Sequence, residues 1–279
     1  MNDFFVNNAY LEFRYPCIQF LNNRYKDFLS IIFSFYFPFL ILYDILSTAY
    51  ERRKSVMKRT KLSERKLPAY SKGEEIMNMV THIVGGALGI AALVLCVIRA
   101  AIHHNVYGVV TSAIYGTCLI ALYTISSVYH GLRPNMGKRV MQVIDHCTIY
   151  FLIAGTYTPF ALSAIRPVYP VLGWSLFGFE WAMTAVAVTL TAIDLKKYSI
   201  FSMICYIGMG WAIIPFARQT LEVLTMPGFL LLLFGGIAYT IGAVTYGIGS
   251  KKKWMHSVFH LFVLLGSILQ FFSIFFYGL

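Results

Sequence analysis

The sequence predicts an all-α membrane protein, a seven-transmembrane helix bundle, and three observations carry that prediction. Hydrophobic residues make up 58% of the chain, charged residues only 13%, and the mean hydropathy is +0.66, which leaves too little polar surface for a water-soluble domain. Seven apolar runs follow residue 75, at about 76–98, 106–130, 140–164, 168–193, 198–217, 227–248 and 255–278. Each is near the roughly 20 residues needed to cross a hydrocarbon core of about 30 Å. Basic residues alternate between the connections: seventeen Lys and Arg fall in segment 51–72 and in the second, fourth and sixth connections, against three (Arg99, Arg166, Arg218) in the others. This bias places residues 51–72 in the cytoplasm and the C-terminus outside, as expected for a multi-pass protein of the plasma membrane.

Residues 1–50 precede the bundle as an extension. Its apolar run, 28–50, is long enough to span but is interrupted by Pro38 and Asp44. Three basic residues precede the run and nine follow it, so a crossing there would put the N-terminus outside. An interfacial helix and a poorly ordered extension are the other two readings. No Ala-x-Ala-type cleavage site accompanies the run, which argues against a signal peptide. Residues 51–74 read as a basic cytoplasmic linker, and residues 75–279 as the membrane domain. Ser71-Lys72-Gly73-Glu74 has the capping-box pattern and stands directly before the first apolar run, so it opens the first bundle helix.

Within the runs, unusual polar residues gather at one depth. At about 1.5 Å per residue, His130 lies about 5 Å from Arg133, Asp145 about 9 Å from Arg139, and His256 and His260 about 5 to 10 Å from Lys253. Glu75, Asn78 and His82 occupy the first turns of the first helix, at the same cytoplasmic end. The pairs Asn78/His82, Ser126/His130 and His256/His260 are each four residues apart and share a helix face. Facing lipid would cost too much, so these faces turn into the bundle. Three neutral imidazoles with an open fourth position form the donor set of a catalytic zinc site. Helix-to-helix hydrogen bonding is the competing reading, and it weakens when three histidines share one depth on facing helices. His82 and His146 are individually ambiguous; His103 and His104 read as solvated loop residues. Glu180, in mid-span, receives no role.

The net charge of +11 would suit a nucleic-acid binder, but the basic residues rim one face of the membrane domain. Attraction to an anionic inner leaflet accounts for them without nucleic acid, and membrane lipids are the expected partners. Five scattered cysteines without a CxxC pair read as small buried residues. Gly85-Gly86-x-x-Gly89 suits close helix packing within one chain.

Several motifs then occur in order: Glu75-x-x-Asn78-x-x-x-His82, Ser126-x-x-x-His130, Asp145-His146, Ala154-Gly155-Thr156-Tyr157-Thr158-Pro159-Phe160, Gly235-Gly236-x-x-Tyr239-Thr240-x-Gly242 and His256-x-x-x-His260-Leu261-Phe262. On these, the chain from Glu75 onward resembles the hemolysin III family, the bacterial branch of the progestin and adipoQ receptor membrane proteins, which also include the adiponectin receptors. The resemblance implies a seven-helix fold with Zn2+ near the cytoplasmic face, held by His130, His256 and His260. It also implies roles for Ser126 and Asp145 close to the metal-bound water. Gln270 departs from the family pattern, where another histidine is expected, but lies toward the opposite leaflet. Residues 1–70 have no counterpart in the resemblance.

Two functional classes follow. In one, the protein is a zinc-dependent hydrolase of a lipid amide or ester acting in membrane lipid homeostasis, with Asp145 and Ser126 as catalytic residues. In the other, the zinc is structural and the protein is a membrane-state sensor or, following the family's historical name, a pore-forming hemolysin. The adjacent serine and aspartate favour chemistry.

Overall fold

In a computed structural model of the chain, which describes residues 60–249 and 252–279, every regular element is a helix. The apolar run 28–50 and residues 51–59 of the basic linker lie outside the described residues. Helix α1 runs Lys72–Ile102, α2 Val106–Gly131, α3 Met136–Pro159, α4 Pro170–Ile193, α5 Ser199–Gly210, α6 Ala217–Gly249 and α7 Met255–Ser273. Local chemistry sets their starts. The Ser71 side chain accepts from the Glu74 amide while the Glu74 carboxylate accepts from the Ser71 amide at 2.9 Å, the complete capping box. Asn105 accepts from the Gly108 amide at 2.7 Å to open α2, and Asn135 from the Lys138 amide at 2.8 Å to open α3. Pro170, with no amide hydrogen to satisfy, stands at the start of α4. Helices α3 and α7 both end in wider π turns, Phe160–Ile165 and Ile274–Gly278.

Among the described residues, six helical stretches are long and apolar enough to cross a membrane: Lys72–Ile102, Val106–Gly131, Met136–Ile165, Pro170–Ile193, Ser199–Gly249 and Met255–Gly278. The fifth and sixth predicted segments, with a loop between them, instead share the single stretch Ser199–Gly249. A 3-10 turn at Ile214–Phe216 follows α5, and residues 218–224, expected as loop, are helical. The break comes at Thr225, with φ 60° and ψ 169°. Pro227, two residues on, explains it: proline supplies no amide hydrogen to the carbonyl four residues back and collides with it.

Packing follows the logic of lipid exposure. The buried face of α1 is Asn78, Thr81, His82, Gly85, Gly89, Ala92, Cys96 and Ala100, small or polar throughout, whereas Ile76, Val80, Ile83, Ile90 and Val94 are exposed. Small residues let backbones approach, which is how helices associate when lipid removes the hydrophobic incentive. A methyl group at Gly85 would lie 2.5 Å from the Tyr123 ring, and one at Gly116 would lie 2.5 Å from Leu93. The glycine pattern of α1 therefore serves the α1–α2 contact inside this chain. On its other side α1 meets α7, which brings Asn78 and His82 against His256 and His260.

Candidate metal centre

His130, near the end of α2, and His256 and His260, in the first turns of α7, meet in the bundle interior. Their side chains offer one nitrogen each, all within 4.8 Å of one another, and the residues are 3%, 7% and 1% exposed. The Nε2 atoms of His256 and His260 are 3.1 Å apart. Two nitrogens each about 2.0–2.1 Å from a tetrahedral metal would be separated by roughly 3.3 Å, so the pair stands at nearly the spacing a shared ion requires.

Orientation of His130 comes from α1. Glu75 Oε2 lies 2.7 Å from His130 Nδ1, so that nitrogen carries the hydrogen and donates it. The Nε2 atom is then the acceptor side, and it is buried with no hydrogen-bond partner. An orphaned acceptor nitrogen on a ring packed beside two other imidazoles fits a metal ligand, and a carboxylate behind a histidine is the usual support for one. Asn78 Nδ2, 3.5 Å from the same Nδ1, faces a donor and makes no useful bond there. Its amide oxygen instead accepts from Ser257 at 2.6 Å, which locks α1 to α7 one turn from the histidines.

The remaining sequence-predicted residues surround this cluster. Ser126 and Asp145 line one cavity together with His82, His146, His256 and His260, and the Ser126 hydroxyl faces the Asp145 carboxylate. His82 stacks on His260 with ring centroids 3.8 Å apart and sets its edge against Tyr123. Neither of its ring nitrogens has a hydrogen-bond partner. His146 is tied at both nitrogens: Nδ1 donates to the Gln142 carbonyl at 2.8 Å, so Nε2 accepts from the Tyr246 hydroxyl at 3.1 Å. That engagement makes it a brace between α3 and α6.

Away from the histidines the cavity is apolar, lined by Leu122, Ile149, Ile153, Phe160, Leu232 and Val263 among others, and it extends as far as Gln270. Its volume is about 150 Å³. Gln270 therefore contributes an amide where the resembling family is expected to carry an imidazole. Glu180 lies outside this lining, fully buried in α4, with neither carboxyl oxygen hydrogen-bonded.

Two contributors escaped the sequence reading. By sequence Lys138 belongs to a connection, yet it is 2% exposed; its ammonium donates to Glu75 Oε1 at 2.6 Å and to the Leu132 carbonyl at 2.9 Å. The correction has a plain cause: Lys138 lies in the first turn of α3, which points inward beneath Tyr129. Spacing carries no signal for it, because a lysine flanked by Gly137 and Arg139 reads as solvated. Tyr70, just before the capping box, stacks on His256 with centroids 4.8 Å apart and an interplanar angle of 16°. Burial, reinforced by the surrounding carboxylates, pushes its hydroxyl well above the usual tyrosine range, so the ring is neutral.

The family model described as "Haemolysin-III related" matches residues 70–271. The chain is 38% identical over 206 residues to Hemolysin-3 of Bacillus cereus, covering 74% of this chain and 92% of that protein. It is 36% identical to the Hemolysin-3 homolog of Bacillus subtilis, covering 73% and 94%. The human Monocyte to macrophage differentiation factor is a more distant relative, 26% identical over 209 residues, covering 72% and 83%.

Proposed function

We propose, for a chain that belongs to the haemolysin-III related family, a zinc-dependent hydrolase that cleaves an amide or ester bond of a membrane lipid. One observation carries this reading: His130, His256 and His260 converge, and two of them, His256 and His260, line an apolar cavity together with Ser126 and Asp145. The donor set, three neutral imidazoles supported by Glu75, is that of a catalytic zinc site with an open position. Zinc bound there would supply Lewis-acid polarisation of a carbonyl and a lowered pKa for water.

The chain's own residues divide the rest of the work. The apolar lining holds an acyl chain and keeps bulk water from the reacting end. Asp145 accepts a proton from the attacking water and returns it to the leaving group. Ser126 donates a hydrogen bond to the carbonyl oxygen as negative charge grows on it. Lys138 and Glu75 hold His130 still.

The same reading includes seven crossings of the plasma membrane. The chain entering α1 and the starts of α3 and α7 are tied to one another and to the end of α4 by Arg139–Arg65, Lys138–Glu75, Trp254–Glu74 and Thr60–Asp194 hydrogen bonds. The stretch Ser199–Gly249 leaves from that end and returns to it. At about 1.5 Å per residue its 51 residues span roughly 76 Å, more than twice the hydrocarbon core, so two crossings with the Thr225 break between them are favoured. The basic partition supports placing that end in the cytoplasm.

Metal analysis of purified protein, followed by turnover of a panel of lipid amides and esters before and after metal removal, tests the proposal. One zinc per chain with metal-dependent turnover is the expected result. Zinc without turnover would favour the alternative, a membrane-state sensor with a structural metal. The name hemolysin borne by the bacterial relatives motivates a separate check, dye release from vesicles, which would reveal pore formation.

A further inference from the structure

The cytoplasmic mouth of the histidine cluster is covered by the chain itself. The Thr60 amide donates to Asp194 Oδ2 at 2.9 Å, tying the segment to the end of α4. Five residues on, the Arg65 carbonyl accepts from Arg139 Nε at 3.0 Å, tying it to α3. Beyond the capping box, Glu74 Oε1 accepts from the Trp254 amide at 2.6 Å, tying it to the entrance of α7. Trp254 reaches that position with φ 68°, a left-handed conformation. Between the second and third ties lies Tyr70, whose ring covers His256 face to face and leans on His130 at 5.9 Å.

One aromatic ring thus lies against two of the three candidate ligands on this side. The family match begins at residue 70, so Tyr70 lies inside the matched region and residues 60–69 lie before it. A hydrophilic solute approaching from the cytoplasm must displace Tyr70, whereas a lipid already in the bilayer meets the apolar end of the cavity.

We propose that residues 60–71 form a strap and Tyr70 its plug, which together bar water-soluble ligands from the histidines and restrict the site to ligands carried in the membrane. Restriction to lipid rests on the hydrolase reading above; closure of the mouth does not.

The test uses the full-length protein with two independent readouts. In the first, zinc loss to the hydrophilic chelator EDTA is timed for the parent protein, Tyr70→Ala and Tyr70→Phe. Tyr70→Ala should lose zinc about tenfold faster, a factor within reach of one lost aromatic contact, and Tyr70→Phe should match the parent. Equal rates in parent and Tyr70→Ala would overturn the plug. The second readout needs no metal: Ala243, which lines the cavity, is replaced by cysteine in a background lacking the native cysteines, and a charged thiol reagent is applied. Labelling should be slow with Tyr70 present and about tenfold faster in Tyr70→Ala, while an apolar thiol reagent labels both alike. Fast charged labelling with Tyr70 in place would refute closure. A parent protein that holds no zinc would sink the hydrolase reading while leaving this arm to judge the strap.

Discussion

Glu75 Oε2 lies 2.7 Å from His130 Nδ1, and the second oxygen of the same carboxylate lies 2.6 Å from the Lys138 ammonium. The chain of contacts Lys138–Glu75–His130 fixes which imidazole nitrogen is free to bind an ion. Supporting carboxylates of this kind typically change metal affinity by about 10- to 100-fold. Glu75→Gln should weaken zinc binding within that range in a competition titration. An unchanged affinity would reduce Glu75 to an inter-helix tie.

Replacement of any one of His130, His256 and His260 by alanine should remove most of the zinc, because a tetrahedral site with two protein ligands holds the ion far less tightly. Elemental analysis against protein concentration reads the outcome directly. Full zinc content in all three variants would end the assignment.

Asp145→Asn keeps the side-chain shape but cannot accept a proton. Zinc content should stay at the parent value while lipid turnover falls by about 100-fold or more, the contribution expected of a general base. Unimpaired turnover would leave Asp145 with a structural part and favour the sensor reading.

Orientation can be read loop by loop with single cysteines and an impermeant reagent in intact cells. Positions 197 and 252 should be protected, and positions 104, 167 and 279 labelled. The inverse pattern would move the histidine cluster to the outer leaflet. Position 3 reports on the run 28–50: labelling there means an additional crossing.

Thr225 holds φ 60° and ψ 169°, a region nearly reserved for glycine. Thr225→Gly should therefore stabilise the detergent-solubilised protein by about 1 kcal/mol, seen as a higher midpoint of thermal unfolding. A lower midpoint would show that the threonine side chain contributes more than its backbone costs.

Much of this arrangement was legible in the residues. Hydropathy located the helices, since lipid-facing residues must be apolar whatever the packing, and Ser71 with Glu74 marked the start of α1 to the residue. The histidines were legible because matched depth and i, i+4 spacing are properties of one dimension. Lys138 and Tyr70 were not, because each matters only through a partner more than 50 residues away in sequence. The helical continuation through residues 218–224 was hidden for another reason. Arg218, Gln219 and Glu222 read as loop residues, and nothing in the apolar pattern marks where a helix prolongs itself past the membrane.

The π turns closing α3 and α7 have a consequence for how this chain tolerates a change of length. A turn bonded from residue i to i+5 holds one residue more than an α turn. Phe160–Ile165 and Ile274–Gly278 both absorb that surplus at the end of the bundle opposite the histidines. Insertion or loss of a residue there is taken up within the turn itself. Side chains on the cytoplasmic side of Pro159 and Ser273 keep their angular positions, so chain length can drift at one membrane face while the histidine end holds its register.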